Sequence, residues 1–148
     1  MYKRVLIATD GSERSPKAIA EGIAVAKASG AVVVGFHARA PAPPLYYGEA
    51  AVMVPRDVAL AFEKESIAIA EGFLAQIAGA AQRAGVSFTG VQYPSASPAD
   101  AILETAEKEG CDLIVMASHG RKGFARVVLG SETVKVLTHA KTSVLVTH

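Results

Sequence analysis

The chain has one cysteine, Cys111, in 148 residues. That excludes an intrachain disulfide, and no Cys/His cluster has metal-ligand spacing. Cys111 opens an apolar run, so it reads as a small buried hydrophobe rather than a reactive thiol. Tryptophan is absent and aromatic residues make up 6%, too few to build stacking platforms for single-stranded nucleic acid. An excess of one charge is missing as well: 15 Lys and Arg stand against 14 Asp and Glu, a formal net charge of +1. A nucleic-acid binder shows a basic excess or stripe, and no run of like charges occurs here. No apolar stretch approaches the length of a membrane span. Val5-Leu6-Ile7-Ala8, behind Met1-Tyr2-Lys3-Arg4, is too short for a signal peptide. The expectation is a soluble cytoplasmic protein that binds neither nucleic acid nor membrane. The P-loop and dinucleotide glycine patterns are both absent, as is a Ser-His-Asp order with a nucleophile elbow. There is no internal repeat, low-complexity tract or domain boundary, so residues 1–148 are expected to form one domain.

Hydrophobic residues make up 51% of the chain, enough to fill a core. Five short apolar runs alternate with helical patterns: Val5 to Ala8, Ala31 to Phe36, Val86 to Val91, Asp112 to Ala117 and Ser143 to Thr147. Four are continuously apolar, as buried parallel strands are. In the third, Val86, Phe88 and Gly90 alternate with Ser87 and Thr89, which suits an edge position. Ser15-Pro16 signals a first helix, with a capping hydroxyl before a proline; Ile19, Ile23 and Ala26 share one face, and Gly30 stops it. A second helix starts near Pro55 to Asp57, with Phe62, Ile69, Phe73 and Ile77 lining one side and Gly85 at its end. Ser97-Pro98 starts a third, closed by Gly110, with Ile102, Leu103 and Ala106 facing inward. The fourth runs from about Gly130-Ser131 to His139. Strands alternating with helices predict an α/β fold, a single doubly wound five-stranded parallel sheet flanked by four helices. Ala40 to Val54, with Pro41, Pro43, Pro44 and Tyr46-Tyr47-Gly48, reads as a long loop. His119 to Leu129 is a second irregular segment.

Ligands of open parallel sheets bind beyond the carboxyl ends of the strands. Thr9-Asp10-Gly11-Ser12 follows the first strand, and Ser118-His119-Gly120-Arg121-Lys122-Gly123 the fourth. Gly130-Ser131 stands at a helix start. Glycine admits close backbone approach, and a helix N-terminus offers unpaired N–H groups with a partial positive charge. Together they suit a phosphate. The Ser131 hydroxyl can donate to it, and Arg121 or Lys122 can neutralise it. The plainer alternative makes Gly120, Gly123 and Gly130 turn and capping residues only.

Met116-Ala117-Ser118-His119-Gly120, nine residues, then Gly130-Ser131 resembles the nucleotide loop of ATP-binding universal stress proteins. In that family the pattern is Gly, two residues, Gly, nine residues, Gly, then Ser or Thr. Val5 to Ser12 resembles the family's first strand and turn, Phe36-His37-Ala38 the end of its second strand, and Val144-Leu145-Val146 its last strand. The resemblance covers essentially the whole chain. It implies the strand order 3-2-1-4-5 and an adenine nucleotide between the ends of strands one and four. By position, Ala8, Thr9 and Asp10 would flank the adenosine and Ala38 would meet the adenine through its backbone. Met116 and Ala117 would line the floor. Gly120, Gly130, Ser131 and Glu132 would cradle the phosphates. Ala117 departs from the family pattern, which has glycine there. If the position requires φ > 0, alanine fits badly, so AMP and ADP stand open beside ATP.

Asp10 can bind ribose or a divalent metal such as Mg, or simply cap its turn. His119 reads as a loop-structuring residue, since no nucleophile or carboxylate stands beside it. His37 reads as a packing residue and His139 as a complement to its helix dipole. Three functions follow: a nucleotide-binding regulatory protein of the stress response acting on a regulatory protein partner; a slow ATPase or phosphotransferase using Asp10 with His119 or Ser131; or a dimeric scaffold with a degenerate site. The implied strand order makes Ser143 to Thr147 an apolar edge without proline or charge. Such an edge calls for cover, and the resemblance implies a homodimer through it.

Overall fold

A computed structural model describes residues 1–42, 54–118 and 129–148. Its elements in chain order are β1 (Arg4–Ala8), α1 (Ser15–Ser29), β2 (Val32–Arg39), α2 (Arg56–Ala84), β3 (Phe88–Pro94), α3 (Pro98–Lys108), β4 (Leu113–Ala117), α4 (Ser131–His139) and β5 (Ser143–Thr147). The strands form one parallel sheet in the order β3-β2-β1-β4-β5. This is the expected architecture, with β3 and β5 at the two edges.

The continuous apolar runs are explained by burial on both faces. Side chains alternate along a strand, so Val5, Ile7, Val33, Leu113 and Val115 meet Ile19, Ile23 and Ile77 of α1 and α2. Leu6, Val34, Phe36, Ile114 and Met116 meet Ile102 of α3 and Val136 of α4 on the other face. Each fully buried aliphatic side chain contributes roughly 1.5–3 kcal/mol, and both faces of β1 are loaded in this way. α1 rests close on the sheet: a Cβ added at Gly22 would stand 2.7 Å from Ile7 Cδ1.

Two local expectations are corrected. Ser15 does not cap α1. The N-cap is Arg14, and the buried Ser15 hydroxyl instead donates to Asp10 Oδ1 at 3.1 Å, because a polar group buried at the sheet end needs a partner there. On α2 the buried stripe is Ala70, Leu74, Ile77 and Ala81. Phe62 and Phe73 are half-buried, and Ile69 is 45% exposed. The helix packs on β2 and β3 through a line whose small alanines allow close approach, and that line is rotated away from Ile69. Residues 43–53 of the expected loop over Ala40 to Val54, including Pro43, Pro44, Tyr46, Tyr47 and Gly48, lie outside the described residues.

Candidate functional site

Strand order reverses at β1, whose chain successor β2 lies on one side and β4 on the other. Open parallel sheets form a crevice at such a point. Here it is a cleft of about 400 Å³ at the carboxyl ends of the strands, within the usual range for small-molecule sites. β1 and its turn contribute Ala8, Thr9 and Asp10, and β2 contributes Phe36, His37 and Ala38. Met116 and Ala117 come from β4, Pro98 and Ile102 from α3, and Gly130 to Thr133 from the start of α4. Part of the lining is therefore apolar, built on Phe36, Ile102 and Met116. Another part is the N-terminus of α4.

The turn after β1 is held from several sides. The Thr9 amide donates to Phe36 O at 2.9 Å, and His37 Nδ1 donates to Thr9 O at 2.8 Å. A carbonyl can only accept, so this bond places the proton on Nδ1. Asp10 Oδ1 accepts from the Ser12 amide at 2.9 Å and from Ser15 Oγ at 3.1 Å, the capping arrangement open to an aspartate in such a turn. Gly11 has φ +71°, a conformation that disfavours any side chain, and a Cβ there would run into the Phe73 ring. Phe73 meets His37 edge-on at 5.0 Å. Among the described residues, no group of three or more His, Cys, Asp or Glu gathers to hold a metal ion.

The α4 end is fastened to β4. Ser118 N donates to Thr147 O at 2.8 Å, and Ser118 O accepts the Gly130 amide at 2.9 Å. The buried Thr133 hydroxyl donates to the same Ser118 carbonyl at 3.1 Å, and Arg14 Nη1 approaches Ser118 Oγ at 3.4 Å. Gly130 is the N-cap of α4, and its amide is already engaged. The first bond of the helix runs from Val134 N to Gly130 O at 3.0 Å. Ser131, Glu132 and Thr133 therefore carry first-turn amides with no acceptor inside the helix. Glu132 reaches across to α3, where its Oε2 accepts the Ala99 amide at 2.7 Å. A carboxylate at a helix N-terminus is stabilised by the dipole, and it caps α3 in place of Ser97, which makes no side-chain cap bond.

The structure brings Ala8, Thr9, Asp10, Ala38, Met116, Ala117, Gly130, Ser131 and Glu132 to one cleft. Gly120 and Arg121, with His119, Lys122 and Gly123, lie outside the described residues. Ala117 ends β4, paired with Thr147, and among the described residues no residue other than glycine has positive φ. The backbone at Ala117 is thus one that alanine adopts freely. Sequence reasoning missed Ser15, Phe36, Pro98, Ile102 and Thr133, and it took His37 for packing alone. The Ser97-Pro98 start signal could have revealed Pro98 and Ile102, because in a parallel sheet each helix that follows a strand begins at the same end. Cys111 and Asp112 sit just before β4, at the opposite end of the sheet from the cleft.

Comparison with known proteins agrees with this architecture. The model of the universal stress protein family matches residues 1–148. A universal stress protein of Thermus aquaticus is 35% identical over 150 residues, covering 98% of each chain. The structure of MJ0577 of Methanocaldococcus jannaschii superposes with a TM-score of 0.81 at 25% identity, covering 99% of this chain and 95% of that one. A universal stress protein solved in complex with cAMP superposes with a TM-score of 0.72 at 26% identity, covering 99% and 97%.

Proposed function

The chain belongs to the universal stress protein family, and from that premise we propose that it binds an adenine nucleotide, ATP or its AMP and ADP relatives, as a regulatory protein of the stress response. The observation that carries this reading is the cleft, which joins an apolar end to the first-turn amides of Ser131, Glu132 and Thr133. A base has an apolar slot beside the Ala38 backbone, and phosphate has a helix N-terminus. The related protein solved with cAMP supports the same ligand class. Asp10 lines the cleft and is held by its turn, and a Mg ion carried in with the phosphates would meet it there. The protein acts in the cytoplasm, as a homodimer, through a protein partner that senses the bound state.

Calorimetry with ATP, ADP, AMP and cAMP, with and without magnesium, tests the reading. Mass spectrometry of a denatured extract adds the nucleotide that co-purifies. Micromolar binding of at least one adenine nucleotide is expected. Absence of binding for all four would sink it. Timed nucleotide analysis in the same samples separates a binding protein from a slow ATPase: conversion to ADP within the incubation would establish hydrolysis.

A further inference from the structure

Glu132 occupies an uncommon place. Its Cα lies in the first turn of α4, next to Ser131 at the polar end of the cleft. Its carboxylate reaches α3, where Oε2 is 2.7 Å from the Ala99 amide, and the preceding residue, Pro98, lines the same cleft. The side chain therefore bridges the start of α4, where the reading above puts phosphate, and the start of α3 beside the apolar lining, where it puts the base. In a nucleotide, the group that joins those two parts is the sugar. A carboxylate offers about four acceptor sites on its two oxygens, and the Ala99 amide takes one. Oε1 keeps its acceptor capacity, on a group whose position is locked by a charge-assisted bond. Ser97 would ordinarily cap α3, yet its buried Oγ has no hydrogen-bond partner among the described residues, and the cap comes from the start of α4 instead.

We propose that Glu132 reads the sugar, accepting a hydrogen bond from the 2′- or 3′-hydroxyl of a bound ribonucleotide through Oε1. The inference rests on the nucleotide reading above. Acidic side chains do the same for ribose in dinucleotide-binding sheets, where the acid stands at the end of a strand. Here it comes from a helix start and is held by a second helix. An acceptor-only group at that point selects for hydroxyl donors, and a sugar lacking the hydroxyl leaves it unpaired.

The test is calorimetry with ATP, 2′-deoxy-ATP and 3′-deoxy-ATP on the wild-type protein and on Glu132→Gln. Glutamine keeps a carbonyl for the Ala99 amide and loses the charge. The wild type should bind ATP about tenfold tighter than at least one deoxy analogue, the loss of one charge-assisted hydrogen bond. In Glu132→Gln that preference should shrink to about twofold. Glu132→Asp, which keeps the charge and shortens the reach, serves if the glutamine variant does not fold, and it should lose the preference too. Equal affinity of the wild type for ATP and both analogues overturns the inference and leaves the nucleotide reading standing. Retention of the full preference in a folded variant also overturns it. Failure of the wild type to bind any adenine nucleotide removes the nucleotide reading, and this inference with it.

Discussion

At the scale of single residues, Gly130 carries the sharpest consequence. It lines the cleft at the N-cap of α4 with φ −60° and ψ 151°, angles open to any residue, so a substitution acts through bulk and not through backbone strain. Gly130→Val should weaken nucleotide binding by about tenfold or more while thermal melting changes little. Calorimetry beside a melting curve reads both, and unchanged affinity would show that the ligand lies elsewhere. Cys111 is the opposite kind of residue. Burial pushes its thiol up to about 11, so at pH 8 almost none of it is thiolate, the reactive form. A chromogenic disulfide reagent should label the native protein slowly at that pH and quickly in guanidinium. Fast labelling of the native protein would show that the start of β4 opens readily.

Elements are joined at the lower end of the sheet by Asp112, whose carboxylate accepts the Lys3 amide at 2.8 Å and the Arg4 amide at 3.1 Å. Burial alone would raise this carboxyl, but the backbone donors of Lys3, Arg4 and Asp112, with the Lys3 charge, together hold it below its ordinary value. A carboxyl lowered in the folded state contributes stability above its unfolded pKa and loses it as pH falls through the folded one. Urea titrations should therefore show the wild type losing stability as pH falls below about 4. Asp112→Asn, less stable at pH 7, should lose less over that interval. Parallel curves for the two proteins would mean that the link between β1 and β4 contributes nothing that depends on charge.

At the scale of the whole molecule, β5 is the apolar one of the two sheet edges among the described residues. β5 is the last strand of the sheet on the β4 side, and its Val144, Leu145 and Val146 are only half-buried. On the neighbouring α4, Val134 and Leu137 are 46% and 42% exposed. An apolar edge without proline or charge invites pairing, and a second copy meeting it about a two-fold axis would close the contact on itself. Light scattering at micromolar concentration should give about twice the chain mass of 15.3 kDa. Val146→Lys should return it to the single-chain value, because the new charge would be buried without a partner. A wild type at the single-chain mass rules out this assembly.

Periodicity and punctuation were enough to read the elements. Runs buried on both faces are continuously apolar whatever they pack against, and Gly30 and Gly85 end helices with φ 67° and 71°, a backbone preference that belongs to glycine itself. β5 was legible to the residue, and the start of α4 to within one. The strand order came from likeness to a family rather than from any pattern along the chain, because parallel pairing joins segments far apart in sequence. The site was legible where a strand end or a helix start carried a signal, as at Asp10 and Gly130-Ser131. It was not legible where a role depends on what comes near in space. Ser15 looked like a cap and became the partner of Asp10. Ile69 looked inward and points out. Glu132 reads along the chain as one residue of a phosphate turn, and only the structure shows that its side chain also caps a different helix. A side chain's own chemistry determines what bonds it can make, and only the packing of the elements decides which partner arrives to make them.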